Sequence, residues 1–162
     1  MRVLVAGIGN IFFCDDGFGC EVAQLLAREP QAPGVKVEDF GIRGLHLAYE
    51  LLAGYDRAIL IDAVPRGEAP GTLYAIEPEV DVAGGAPDAH RMDVQNVFAF
   101  LRRLGGEPPP LTIVGCEPET VEPGMGLSAA VTRSVAPAAA LVRRLLAEQR
   151  APLVPQSTGG MP

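Results

Sequence analysis

The stretch Arg2-Val3-Leu4-Val5-Ala6-Gly7-Ile8-Gly9-Asn10-Ile11-Phe12-Phe13-Cys14-Asp15-Asp16-Gly17-Phe18-Gly19 decides the fold class. Arg2 to Ile8 is a β-rich apolar run ending near glycine, as a strand buried on both faces reads. A loop from Gly9 to Asp15 follows. From Asp16 to Arg28, Phe18, Val22, Leu25 and Leu26 recur on one helical face. The glycines invite a dinucleotide-binding reading. That reading fails, because the third glycine of GxGxxG falls on Phe12, and two aspartates at the helix start would repel a pyrophosphate. The glycines instead allow a tight turn and a close backbone approach.

The strand–helix pattern continues outward from this segment. Val35 to Phe40 alternates as a second strand, and Gly44 to Ala53 has helical spacing with Leu45, Ala48, Leu51 and Leu52 inward. Arg57 to Val64 is a third buried strand carrying an acid, Asp62, near its end. Pro65 to Gly71 is turn chemistry, too short for a parallel crossover, so the following strand, Thr72 to Ile76, is predicted antiparallel. After a loop from Glu79 to Ala89, a helix is expected from Met92 to Leu104 with Val94, Val97, Phe98 and Leu101 inward. A fifth strand spans Leu111 to Cys116, and Leu127 to Gln149 is a closing helix kinked or divided at Pro137. This order predicts an α/β fold, a three-layer α/β/α sandwich with a central five-stranded, mostly parallel (mixed) sheet. Residues 1–150 form a single domain in this reading, and 151–162 a disordered tail.

Composition excludes several function classes. The chain of 162 residues has a formal net charge of -7, so the basic footprint of a nucleic-acid or anionic-membrane partner is missing. Its three cysteines, Cys14, Cys20 and Cys116, are odd in number and match neither a CxxC nor a zinc spacing. No apolar run reaches membrane-spanning length. Reduced thiols and the lack of a targeting segment lead to an expected cytoplasmic location.

In sheets of this kind the working loops leave the carboxyl ends of the parallel strands. Two of these loops carry acids. Asp15 and Asp16 read either as a helix cap with a first-turn acid or as ligands. Asp62 closes an apolar strand, where a carboxylate needs a partner, and a satisfied structural aspartate is its bland reading. His90 lies between a loop and a helix, where a capping or surface role competes with ligation. Together Asp16, Asp62 and His90 make an O,O,N set that suits a divalent metal with open positions, or general-base activation of a water. His46, in the second helix near Arg43, is read first as surface packing, with a site role as the lesser alternative.

The ordered set GIGNxxxxDDGxG, DFGIRG (Asp39 to Gly44), IDA (Ile61 to Ala63), a histidine before a helix, and VGCEPE (Val114 to Glu119) resembles the nickel-iron hydrogenase maturation endopeptidases. Glu122-Pro123 and Gly126-Leu127-Ser128 add to the resemblance, which covers about Met1 to Ala147. It implies a phosphorylase/hydrolase-like fold and an endopeptidase that removes the C-terminal extension from the precursor of a hydrogenase large subunit after nickel insertion. It also implies that Asp16, Asp62 and His90 are the catalytic, metal-contacting residues. The nickel would be carried by the precursor, with no permanent cofactor. Two departures stand out: some relatives have glutamate in place of Asp16, and many have a small or hydroxyl residue in place of Arg43. Arg43 is expected to read an acid on the precursor's tail. The competing expectation is a non-catalytic, metal-dependent binding or chaperone module acting on a nickel protein.

Overall fold

The computed structural model describes residues 1–79 and 93–148. Five strands, β1 (Val3–Ile8), β2 (Val35–Gly41), β3 (Arg57–Ala63), β4 (Leu73–Ile76) and β5 (Leu111–Cys116), form one sheet in the order β2-β1-β3-β5-β4. β1 pairs in parallel with β2 and β3, and β3 with β5. β4 runs antiparallel to β5, with Leu73 opposite Cys116. Four α-helices, α1 (Phe18–Ala27), α2 (Gly44–Leu51), α3 (Val94–Arg103) and α4 (Ala129–Glu148), flank it. The expected α/β architecture is present.

The pleat divides the core into two layers. Val3 and Val5 of β1, with Ile59 and Ile61 of β3, pack against Phe18, Val22 and Leu26 of α1 and Val131, Ala138 and Val142 of α4. The alternate residues Leu4, Ala6 and Ile8, with Leu60, meet Leu47, Ala48 and Leu51 of α2 and Val97, Phe98 and Leu101 of α3. Phe18, Phe40 and Phe98 are fully buried, each contributing about 1.5–3 kcal/mol by the usual transfer scale.

Three expectations change. The first helix does not begin at Asp16: a single 3-10 turn spans Cys14–Gly17, and α1 starts at Phe18. α2 buries Leu47, Ala48 and Leu51, whereas Leu45 and Leu52 are exposed. Leu45 sits in the first turn at the open end of the sheet, and Leu52 lies beyond the last helical residue. Finally, Pro137 lies within a continuous α4 and does not divide it into two helices. It is on the solvent face, as is Arg133 four residues earlier, so the carbonyl that loses its partner can bond to water.

Glycine sets how closely the first helix lies on the sheet. A Cβ on Gly19 would stand 2.0 Å from the Ile61 carbonyl oxygen and 2.4 Å from that of Ile8. The close backbone approach expected of this segment is therefore to the protein's own β1 and β3. His46 is exposed and packs edge-on to Phe40, with ring centroids 6.1 Å apart. All three cysteines are free thiols. Among the described residues no helix is long and apolar enough to cross a membrane. The expected tail lies outside the described residues.

Candidate functional site

From β1 the chain crosses to β2 on one side, and β5 follows β3 on the other, so the sheet order reverses between β1 and β3. The crevice at their carboxyl ends is where α/β sheets place ligands. The loop after β1 and the end of β3 border it.

Asp15 and Asp16 have different surroundings. Asp15 is fully buried. Its Oδ2 accepts from the Glu119 N–H (2.8 Å), the Thr120 N–H (3.1 Å) and the Ser128 hydroxyl (2.9 Å), and its Oδ1 from the Ser128 N–H (2.7 Å). Burial works to raise its pKa, but the Ser128, Thr120 and Glu119 donors outweigh that and hold it below the usual carboxylate value. These bonds tie the loop after β1 to the loop after β5. Backbone bonds from Cys14 N to Gly124 O (2.9 Å) and Gly124 N to Phe12 O (2.8 Å) reinforce the seam. Asp15 is thus neither a helix cap nor an open ligand.

Asp16 instead accepts from the Asn10 N–H (2.8 Å) across the mouth of its own loop. Gly9 makes that closure possible: its φ is +135°, and a Cβ there would lie 1.9 Å from the Asp16 carbonyl oxygen.

Asp62 sits in β3 opposite Gly115 of β5 and keeps some exposed surface. Desolvation nevertheless pushes its carboxyl up to about 8, the Asp16 charge adds to the rise, and the Ala63 N–H opposes it. The two carboxyls therefore act on each other across the crevice. Deprotonating Asp62 costs free energy because it lacks solvation and meets a like charge. A cation between the two would relieve both penalties. A carboxyl titrating near neutrality also suits proton exchange with a water. His90, the third expected member, lies outside the described residues, and no group of three His, Cys, Asp or Glu side chains placed for a metal occurs among the described ones.

Cys20 lies beneath the crevice, buried, with its thiol directed to the Gly9 carbonyl (3.5 Å). Burial, an Asp39 hydrogen bond and the charges of Asp39, Asp16 and Asp62 push it up to about 12. Burial likewise raises Cys116 to about 11. Neither thiol is a nucleophile near neutral pH. Asp39 accepts from Gln24 (2.9 Å) and the Gly41 N–H (2.9 Å). Arg43 is exposed and donates to the Phe40 carbonyl (3.1 Å) and to the Asp39 carbonyl, so part of its guanidinium is used on its own turn.

Two residues that residue-type reasoning did not single out shape the rim. Ser128 completes the Asp15 cradle and also caps α4 through a 3.4 Å bond from the Val131 N–H. Glu117 is buried and accepts from the Arg66 N–H (2.8 Å), the Gly67 N–H (3.1 Å) and the Tyr74 hydroxyl (2.7 Å), which shapes the turn after β3. An acid directly after a buried strand, followed by proline, was the available signal for Glu117.

Residues 20–145 match the family model described as HycI: Hydrogenase maturation protease. The chain belongs to the hydrogenase maturation protease family. It is 32% identical over 160 residues to the hydrogenase 2 maturation protease of Escherichia coli (strain K12), covering 96% of this chain and 97% of that protein. It is 35% identical over 142 residues to the hydrogenase expression/formation protein HupD of Rhizobium leguminosarum bv. viciae, covering 85% and 70%. Its fold matches the hydrogenase maturating endopeptidase HybD from E. coli with a TM-score of 0.76 and 30% identity, covering 93% of this chain and 94% of that one. Membership makes the chain a hydrolase that acts on a peptide bond. For a maturation protease, the crevice between β1 and β3 holds two interacting carboxyls, with the buried thiol of Cys20 held protonated close by.

Proposed function

We propose that this maturation protease removes the C-terminal extension from the nickel-loaded precursor of a nickel-iron hydrogenase large subunit. The observation that carries the reading is the pairing of Asp62 with Asp16 at the crevice, while Asp15 is fully engaged in the adjoining loop seam. Nickel belongs to the substrate in this account. Asp16 and Asp62 contact it with carboxylate oxygen, and His90 adds an imidazole nitrogen. An oxygen- and nitrogen-donor set without thiolate suits transient contact with a borderline cation. A water polarised by the precursor's nickel, or by one of the carboxylates, attacks the scissile carbonyl. The high pKa values of Cys20 and Cys116 disfavour a covalent route through either of those two thiols. The reaction is placed in the cytoplasm, where cysteines remain reduced.

The test is to incubate the protein with nickel-loaded and nickel-free precursor and weigh the products by mass spectrometry. Shortening of the nickel-loaded precursor alone is expected. Intact precursor in both samples would refute proteolysis of this substrate.

A further inference from the structure

Among the described residues, most of the exposed large apolar side chains lie at the carboxyl end of the sheet. Ile11, Phe12 and Phe13 follow β1, Ile42 follows β2, and Val121 and Met125 follow β5. Phe12 is 62% and Met125 68% exposed. The Phe12–Gly124 and Cys14–Gly124 backbone bonds lace the segment carrying Val121 and Met125 to that carrying Phe12 and Phe13. On the other side, Ile11 and Phe12 share a cleft of about 310 Å³ with Ile42, lined also by Gly9, Cys20 and Phe40. The same cleft includes Asn10, whose N–H binds Asp16. The cleft therefore borders the loop that holds Asp16, and exposed Ile11, Phe12 and Ile42 stand along it. Contiguous apolar surface of this kind is unfavourable in water and marks a contact site.

We infer that this collar is the docking face for the precursor protein. An apolar patch of the precursor lies on Phe12, Phe13, Val121 and Met125, and an extended segment beside the scissile bond places an apolar side chain between Ile11 and Ile42. The inference rests on the proteolytic reading and adds to it where the substrate sits. The place of the cleft beside the Asp16 loop selects this occupant, since a second copy seated on the same face would block the crevice.

The experiment compares wild type with Phe12→Lys, Met125→Lys and Ile42→Lys, using Leu104→Lys at the opposite end of the sheet as control. These side chains are exposed, so each variant is expected to melt like wild type, and Phe12→Ser and Met125→Ser supply milder versions. Processing of the nickel-loaded precursor is measured as kcat and KM, and precursor binding is measured separately by surface immobilisation. The collar variants should raise KM and weaken binding by about tenfold or more, with kcat little changed and Leu104→Lys unaffected. Shortening by every collar variant with wild-type KM would overturn the docking face and leave the protease reading intact. Binding that is weakened by the variants, without shortening by wild type, would keep the docking face and overturn the protease reading. Unchanged precursor binding with a loss of self-association in sedimentation would assign the collar to a homodimer and overturn the inference.

Discussion

Asp15 and Asp16 are consecutive, yet Asp15 is bound by Ser128 and its neighbours while Asp16 is bound by Asn10. They occupy a 3-10 turn, in which successive side chains diverge by roughly 120°. One acid is therefore used to join two loops, and the other is left beside Asp62. The separation is what permits a site with one strongly held charge and one available one.

Replacing Asp15 should affect stability first. Asp15→Asn lowers the unfolding free energy by about 2–4 kcal/mol, because buried donors lose a charged acceptor. Urea denaturation measures this, and an unchanged midpoint would contradict the cradle. The folded pKa of Asp15 is depressed, so its contribution is complete above the unfolded carboxylate value of about 3.9 and is lost as pH falls toward the folded one. Asp15→Asn should therefore flatten the acid limb of the stability profile.

Asp62 has the opposite sign. Its folded pKa is raised from 3.8 to about 8, so the folded state holds a proton that the unfolded state releases. Stability of the metal-free protein should fall as pH rises from about 4 to about 8. Asp62→Asn removes that slope and stabilises the protein at pH 8. Thermal melts across this window test it, and parallel wild-type and variant profiles would contradict it. Asp16→Asn should bring the Asp62 titration down, as read by carboxyl NMR.

The fold was legible wherever one physical signal sufficed. β1 and β3 are buried on both faces and read as unbroken apolar runs, and the short Pro65–Gly71 turn compelled an antiparallel β4. The distinction between Asp15 and Asp16 was not legible, because it depends on donors more than a hundred positions away. Periodicity also counted Leu45 and Leu52 as inward, since spacing alone does not show where a helix outruns its partner layer. At the site, Asp62 was marked by an acid on an apolar strand. Glu117 was marked only as an acid directly after a buried strand, because its partners, backbone N–H groups of the turn after β3 and the Tyr74 hydroxyl, have no sequence motif of their own.

Glu117 raises Tyr74 in turn. Burial and the hydrogen bond to Glu117 push the phenol up to about 12. Glu117→Gln should move the Tyr74 titration back toward 10, followed by ultraviolet difference absorbance. It should also loosen the turn at Arg66 and Gly67, seen as faster amide exchange there. An unshifted phenol would show that the pair does not persist in solution.

Gly19→Ala tests the packing of α1 on the sheet. With the Ile61 carbonyl oxygen only 2.0 Å from the added methyl, the helix must move away. A loss of about 1–3 kcal/mol or more is expected. Wild-type stability would mean that α1 sits farther from β3.

Asp16 and Asp62 are proposed to act together on the precursor's nickel, and Asp15 is not. The most direct test is the rate of shortening of nickel-loaded precursor, followed by mass spectrometry, for Asp16→Asn, Asp62→Asn and Asp15→Asn at a temperature where all three remain folded. The first two should lose at least about a hundredfold in rate, with near-wild-type processing by Asp15→Asn. Full activity of both Asp16→Asn and Asp62→Asn would contradict that joint action.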